Sequence, residues 1–328
     1  MINEYLETLR LGNPQSYKHV VLIPITALPG ADGVDYLTLG EALSDRLLTV
    51  TEVGQSGAVP NLKVTSSADK PILMLDGEEL AGAKQNRVLN TSILVPERAE
   101  LIVPVSCTEA GRWAYTSAMF MESGNVLASS VRSVQSQSVS RSLDLSARYG
   151  SDQSAIWHQI EALHQLAGTS QSSRTRAMQD AYQAMEEQLA EAMAALPLVA
   201  DQTGFIVVAA GETVGFDVLS KAPAYAKLHA KLVKSYMIDA LHWKDAPAAD
   251  VDKARAEAAG FLEKAGACKA KQFKSVGHGD DYRFDGDGIA GSALLFREQV
   301  IHTAFFRVTK WEAGGHLSDL HVRRRFRS

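Results

Sequence analysis

Residues 73–115 read LMLDGEELAGAKQNRVLNTSILVPERAELIVPVSCTEAGRWAY. The apolar runs Ile93-Leu94-Val95 and Leu101-Ile102-Val103 flank Pro96-Glu97-Arg98. That pattern predicts strands over 88–95 and 99–105, joined by a turn at 96–99 into a hairpin. A further strand is expected over 72–75. Between it and the hairpin lies a dense polar block: Asp76, Glu78, Glu79, Lys84, Gln85, Asn86, Arg87 and Asn90. Gly77 and Gly82 let the backbone bend around the acidic pair. Charges and amides at this density inside a core-forming segment mark where a site is expected.

Upstream, apolar or alternating runs predict strands over 20–25, 36–39, 48–53 and 61–66, with a turn at 29–33 and a loop at 54–60. Residues 3–10 read as a short amphipathic helix, and 41–48 as a helical turn or bend. Downstream, residues 129–146 are rich in serine and carry Arg132 and Arg141, with Asp144 opposing them. An extended arm or solvated loop is the simple expectation. The sharper one is a basic, hydroxyl-rich segment that meets phosphate oxygens. Apolar stripes at helical spacing predict helices over 151–167, 173–196, 223–243 and 247–266. Between the second and third lies a hairpin, 205–209 with 214–219. Strands follow over 267–276, 282–284, 293–296 and 300–308, and the arginines at 323–327 read as a solvated tail.

Segregated rather than alternating elements predict an α+β fold. Its sheet is mainly antiparallel, built from N-terminal strands and returning C-terminal strands, with about four helices in the middle. Residues 1–308 are expected to form one interleaved domain, with 129–150 the candidate sub-boundary and 309–328 a C-terminal tail.

The 328 residues are 46% hydrophobic and carry a formal net charge of −5. That balance supports an ordinary core and argues against a broad nucleic-acid surface. Two cysteines, Cys107 and Cys268, lack metal-type spacing and suit a reducing cytoplasm. Neither a secretory signal nor a membrane span is legible in the sequence.

Gly286-Asp287-Gly288-Ile289-Ala290-Gly291 matches the GxGxxG spacing. The dinucleotide motif needs a helix after it, and here a strand follows, so a glycine turn between strands is expected. His278, Asp280, Asp281 and His302 are metal-type ligands without a metal-binding spacing, and a polar loop is the simpler reading. Cys107 has no histidine near it in sequence and reads as a small buried residue. Asp239 shares a helix face with apolar residues, so a partner is needed, with Arg283 or Lys84 the candidates.

The acidic cluster Asp76, Glu78 and Glu79 can share a proton, bind a hard cation or accept from ribose hydroxyls; the plain alternative is an ion-paired loop. Lys84, Arg87 and Arg112 can neutralise it or bind phosphate. Trp113 beside Arg112 reads as core or as a stacking surface for a base.

At these residues the chain resembles the first member of the ADP-ribosylglycohydrolase- and rhodanese-phosphatase-superfamily-associated protein domain family. The likeness runs through Leu75-Asp76-Gly77-Glu78-Glu79-Leu80, Gly82-Ala83-Lys84-Gln85-Asn86-Arg87 and Asn90-Thr91-Ser92. It continues through Val103-Pro104-Val105-Ser106-Cys107 and Gly111-Arg112-Trp113. Weaker matches lie at Ser151-Asp152-Gln153 with Trp157, Gly215-Phe216-Asp217, Ser235-Tyr236 with Asp239-Ala240-Leu241, and Ile301-His302. The resemblance ends near Val308. It implies a setting in ADP-ribose and NAD metabolism and carries over no catalytic residue, cofactor or metal.

The resulting expectation is a cytoplasmic protein that binds a small anionic ligand of the nucleotide-sugar type. Asp76, Lys84, Gln85, Asn86, Arg87, Arg112 and Trp113 are its candidate binding residues. The alternatives are a hydrolase with Glu78 or Glu79 as general base, with or without a divalent cation, and a scaffold that docks partner proteins.

Overall fold

A computed structural model describes residues 2–27, 33–54, 60–243, 246–286 and 288–308. Most of the turn expected at 29–33, the centre of the loop at 54–60, Asp287 and the basic tail lie outside the described residues.

The chain opens with helix α1 (Ile2–Thr8), the short strands β1 (Arg10–Leu11) and β2 (Gln15–Tyr17), and the apolar β3 (Val20–Thr26). β4 (Leu37–Thr38) runs into α2 (Leu39–Ser44), followed by β5 (Leu48–Glu52) and β6 (Asn61–Ser66). The polar block and its flanks form β7 (Ile72–Met74), β8 (Glu78–Gly82), β9 (Arg87–Leu89), β10 (Ile93–Val95) and β11 (Glu100–Cys107), and β12 (Phe120–Val126) follows. Then come α3 (Ser129–Ser146), α4 (Gln153–Ala167), α5 (Met178–Ala184) and α6 (Glu186–Ala195), the hairpin β13 (Gly204–Ala209) and β14 (Glu212–Leu219), α7 (Ala222–Ala240) and α8 (Val251–Gly266). β15 (Lys269–Lys274), β16 (Asp280–Gly286), β17 (Ile289–Phe296) and β18 (Gln299–Arg307) close the described chain.

The α+β class holds, with the C-terminal strands returning to the N-terminal ones. One sheet runs β1-β3-β13-β14-β18-β17-β16-β15, with β2 also on β3, and every pairing in it is antiparallel. A second, six-stranded antiparallel sheet runs β12-β8-β9-β11-β6-β5. Its edge strands β12 and β5 touch, so it curls around Leu62, Val64, Leu80, Leu89, Val103 and Val105. A three-stranded sheet, β10-β7-β4, lies beside it.

The large sheet is covered on both faces. Leu22, Phe205, Ala304 and Phe306 pack under α3 to α7, while Val21, Ile206, Phe216 and Phe305 face α1 and α8. Full burial of one such large side chain is worth roughly 1.5–3 kcal/mol. The Gly-rich segment at 286–291 joins β16 to β17, antiparallel neighbours with no helix between them.

Several expectations need correction. The described residues contain eight helices, not about four. The stretch 173–196 breaks at Met185 into α5 and α6, and the serine-rich segment is helix α3 rather than an arm or loop. Small serine side chains let it approach its neighbours closely. Ser138 and Ser140 donate back to the carbonyls of Gln135 and Ser136 at 2.9 and 2.8 Å. Its N-cap, Ala128, has no side-chain acceptor, and Asp239 of α7 takes that role. The carboxylate accepts from Ser129 Oγ, Ser130 N and Ser130 Oγ at 2.7 to 2.9 Å. The partner of Asp239 is thus a helix terminus and not Arg283 or Lys84.

The last correction concerns the hairpin expected around Pro96. β9 and β10 belong to different sheets: β10 pairs with β7, and β11 pairs with β6 and β9. Asn90-Thr91-Ser92 separates the two strands because their side chains are bonded elsewhere. Asn90 accepts from Ser106 at 2.6 Å, and Thr91 donates to Asp281 at 2.6 Å.

Candidate functional site

Side chains alternate across a strand, so the polar block is divided between two faces of the curled sheet. Leu80, Arg87 and Cys107 share one register line and point inward; Glu79, Val88 and Ser106 share the next and point toward the helices. Positive φ at Gly77 (76°) and Gly82 (129°) brackets β8 as the bending argument expects. A Cβ at Gly77 would meet the Arg132 side chain at 3.0 Å.

That contact belongs to the first of several polar groups. Arg132 of α3 is fully buried and donates to Asp217 at 2.8 and 2.7 Å and to Asp76 at 3.2 Å. Tyr236 donates to Asp217 at 2.7 Å. The His302 ring spans Ser92 Oγ, 2.8 Å from Nδ1, and Asp217, 3.0 Å from Nε2. Burial pushes the Asp217 carboxyl up, but Arg132 and His302 more than offset this and hold it far below the usual carboxylate range. Asp76 is therefore a member of a buried ion cluster.

Glu78 accepts from Leu75 N at 2.7 Å and pairs with Lys231 of α7, which also pairs with Glu122. Burial pulls the Lys231 ammonium down, yet its two carboxylates outweigh that and keep it charged. Glu79 lies on the opposite face and accepts from Thr108 at 2.7 Å. Burial pushes both glutamic carboxyls up, against the pull of Lys231 on Glu78 and of the Thr108 hydroxyl on Glu79. The structure does not bring Asp76, Glu78 and Glu79 to one point.

The remaining candidates do assemble. Arg87, with no exposed surface, donates from Nη1 to Gln85 Oε1 and to Cys107 Sγ, both at 2.8 Å. Its Nη2 lies 3.7 Å from Glu52 Oε1. Arg87 Nε and Nη2 and both Glu52 oxygens are buried without hydrogen-bond partners. Gln85 donates to the Glu109 carbonyl at 2.7 Å. Arg112 bonds Glu109 at 2.7 Å and Asn86 Oδ1 at 3.0 Å. Trp113, half exposed, lies over the Arg87 guanidinium at 5.6 Å. Lys84 Nζ is 5.3 Å from the same ring and 5.1 Å from Tyr115. Burial pushes the Cys107 thiol up, with Arg87 pulling the other way.

His278 and His302 have different partners: His278 bonds Glu97 at 3.0 Å and stacks on Phe296, away from Asp217. Arg283 pairs with Asp281 at 2.7 Å. Among the described residues, no group of three or more His, Cys, Asp or Glu is arranged to hold a metal ion, and no helix is long and apolar enough to cross a membrane.

Sequence reasoning did not place Glu52, Arg132, Asp217 or Lys231 in these groups. For Asp217 a signal was present, a lone carboxylate between Phe216 and Val218 in an apolar strand. Glu52 ends an alternating strand and carries no local signal of its pairing.

Comparison with known families finds that the model of the ARG and Rhodanese-Phosphatase-superfamily-associated Protein domain matches residues 8–306. No curated protein matches the chain, and neither does any solved structure.

Proposed function

Since the chain belongs to the ARG and Rhodanese-Phosphatase-superfamily-associated Protein domain family, we propose that it is a cytoplasmic binding protein for a small anionic ligand of the nucleotide-sugar type. The family name associates the domain with ADP-ribosylglycohydrolases, which fits an ADP-ribose-linked or NAD-linked setting. The ligand occupies the end of the curled sheet where Arg87, Glu52 and Trp113 meet.

The observation that carries this reading is the pair of Arg87 N–H groups without acceptors beside two Glu52 oxygens without donors. A buried, unpartnered polar group costs free energy that a suitable ligand atom restores. A phosphate oxygen accepts from Arg87 in a charge-assisted bond, and a sugar hydroxyl donates to Glu52. A phosphorylated sugar offers both. Trp113 and Tyr115, each about half exposed, provide a face for a base. Lys84 stands over both rings and adds positive charge. Arg112 is committed to Glu109 and Asn86 and so positions the loop. Entry of an anionic group displaces the indole from over the guanidinium.

Calorimetry with ADP-ribose, NAD and AMP tests the reading, with Trp113 fluorescence as a second readout. Binding is expected to weaken by at least about tenfold in Arg87→Ala and in Trp113→Ala. No heat with any of the three ligands would overturn it, as would unchanged affinity in Trp113→Ala, an exposed position where folding is not at stake.

A further inference from the structure

Glu52 ends β5 and Arg87 opens β9, and in the sheet order β11 and β6 lie between their strands. The curl that brings the edge strand β5 against β12 sets the carboxylate beside the guanidinium. The two groups stop short of contact. Arg87 Nη2 and Glu52 Oε1 are 3.7 Å apart, whereas a charge-assisted hydrogen bond spans about 2.7–2.9 Å. Arg87 commits Nη1 to Gln85 and Cys107. Its Nε and Nη2 and both Glu52 oxygens are buried and have no partner among the described residues. Buried opposite charges held apart in this way leave positions for one acceptor and one donor from outside the chain.

The charge balance decides which kind of anion fits. Arg87 brings one positive charge, and Glu52 offsets it. A phosphoryl oxygen on Arg87 Nη2 lies close to both groups. A second negative charge on the same phosphoryl group therefore gains from the guanidinium about what it loses to the carboxylate. Its lost hydration is not returned. The surrounding groups do not alter this balance. Arg112 and Glu109 neutralise one another at 2.7 Å, and burial pushes the Cys107 thiol up, toward its neutral form. Lys84 stands over Trp113 and Tyr115 at the half-exposed rim, where water and salt screen its charge.

We propose that Glu52 is a specificity-determining residue of the Arg87 site. It admits a phosphoryl group with a single negative charge, as in a phosphodiester or an internal diphosphate, and disfavours a terminal phosphomonoester. This rests on the ligand reading given above and narrows it to one class of anion.

AMP and its phosphate methyl ester form a matched pair that tests the assignment, since they differ by one methyl cap and the charge it removes. The second pKa of a phosphomonoester is about 6, so AMP is mainly a dianion at pH 8 and mainly a monoanion at pH 5. The ester keeps one charge at both, so a change shared by the two ligands belongs to the protein. Calorimetry on the full chain is expected to show the ester binding at least about tenfold tighter than AMP at pH 8. At pH 5 the two should bind alike. Glu52→Gln keeps an acceptor for the sugar hydroxyl and removes the charge, so in that variant AMP is expected to match the ester at both pH values. The wild-type comparison needs no variant and decides the matter even where Glu52→Gln folds poorly. Equal affinities at pH 8 in the wild type, or an undiminished preference in folded Glu52→Gln, would overturn the role of Glu52 and leave the Arg87 site standing. No heat with either ligand or with ADP-ribose would overturn both.

Discussion

Arg87 and Arg132 are both buried arginines that touch the same polar block, yet their surroundings differ. Arg132 spreads its hydrogen bonds over two carboxylates, Asp76 and Asp217, which are in turn held by Ser92, Tyr236 and His302. Arg87 bonds one amide oxygen and one thiol, and its carboxylate neighbour Glu52 stands at 3.7 Å without a hydrogen bond. The first cation is matched by two of the protein's own carboxylates, with Nε alone left without a partner, and joins α3 to the large sheet and to the turn before β8. The second retains unmatched donors beside a half-exposed aromatic. Burial and charge are common to both; what separates them is how much of the hydrogen-bonding capacity the fold has already used.

The largest effect is expected at Arg132. Its replacement by methionine leaves Asp76 and Asp217 buried without their cation and should lower stability by about 3–5 kcal/mol, read by urea denaturation. A loss comparable to that of a surface substitution would show that the cluster does not hold the layers together. In Gly111→Ala the new Cβ falls 2.8 Å from Thr175 Cα. A cost of about 1–3 kcal/mol is expected, along with weaker ligand binding at Trp113, two residues on.

Protonation acts on two buried carboxyls, Asp217 and Glu79, with opposite signs. The Asp217 carboxyl is held low in the fold, so its stabilisation is present above about pH 4 and fades as pH falls below that. The Glu79 carboxyl is pushed up by burial, so its contribution is full below about pH 4 and fades as pH rises through the folded value. Glu79→Gln removes that loss and should stabilise the protein at pH 8, with the gain shrinking at pH 5. Thermal melts at the two pH values decide it; a Gln variant less stable at pH 8 than wild type would mean that Glu79 is held ionised. The smallest effect belongs to the paired change Arg87→Met with Glu52→Gln. Removing both charges together should alter stability by no more than about 1 kcal/mol while abolishing ligand binding. A large loss of stability would place Arg87 in the same structural class as Arg132.

Much of the frame was legible because apolar runs declare strands. Val20 to Ile25, the turn at Gly211 and the strand through Phe305 were all placed by pattern alone, and so was the strand after the Gly286 motif. Helix α3 was hidden because serine favours loops in isolation. Its N-terminal cap comes from Asp239, 109 residues further along the chain. The break between β9 and β10 was hidden for a similar reason, since the side chains that part them bond Ser106 and Asp281.

For the candidate site, the sequence determined which chemical groups are available and that they lie close along the chain. It also determined, through the two-residue period of a strand, that the neighbours Glu78 and Glu79 face opposite ways. The tertiary structure alone decided which charges are matched. Matching depends on Asp217, Glu52 and Lys231, brought in from distant elements, and a local stretch of chain contains no information about partners that only the packed layers supply.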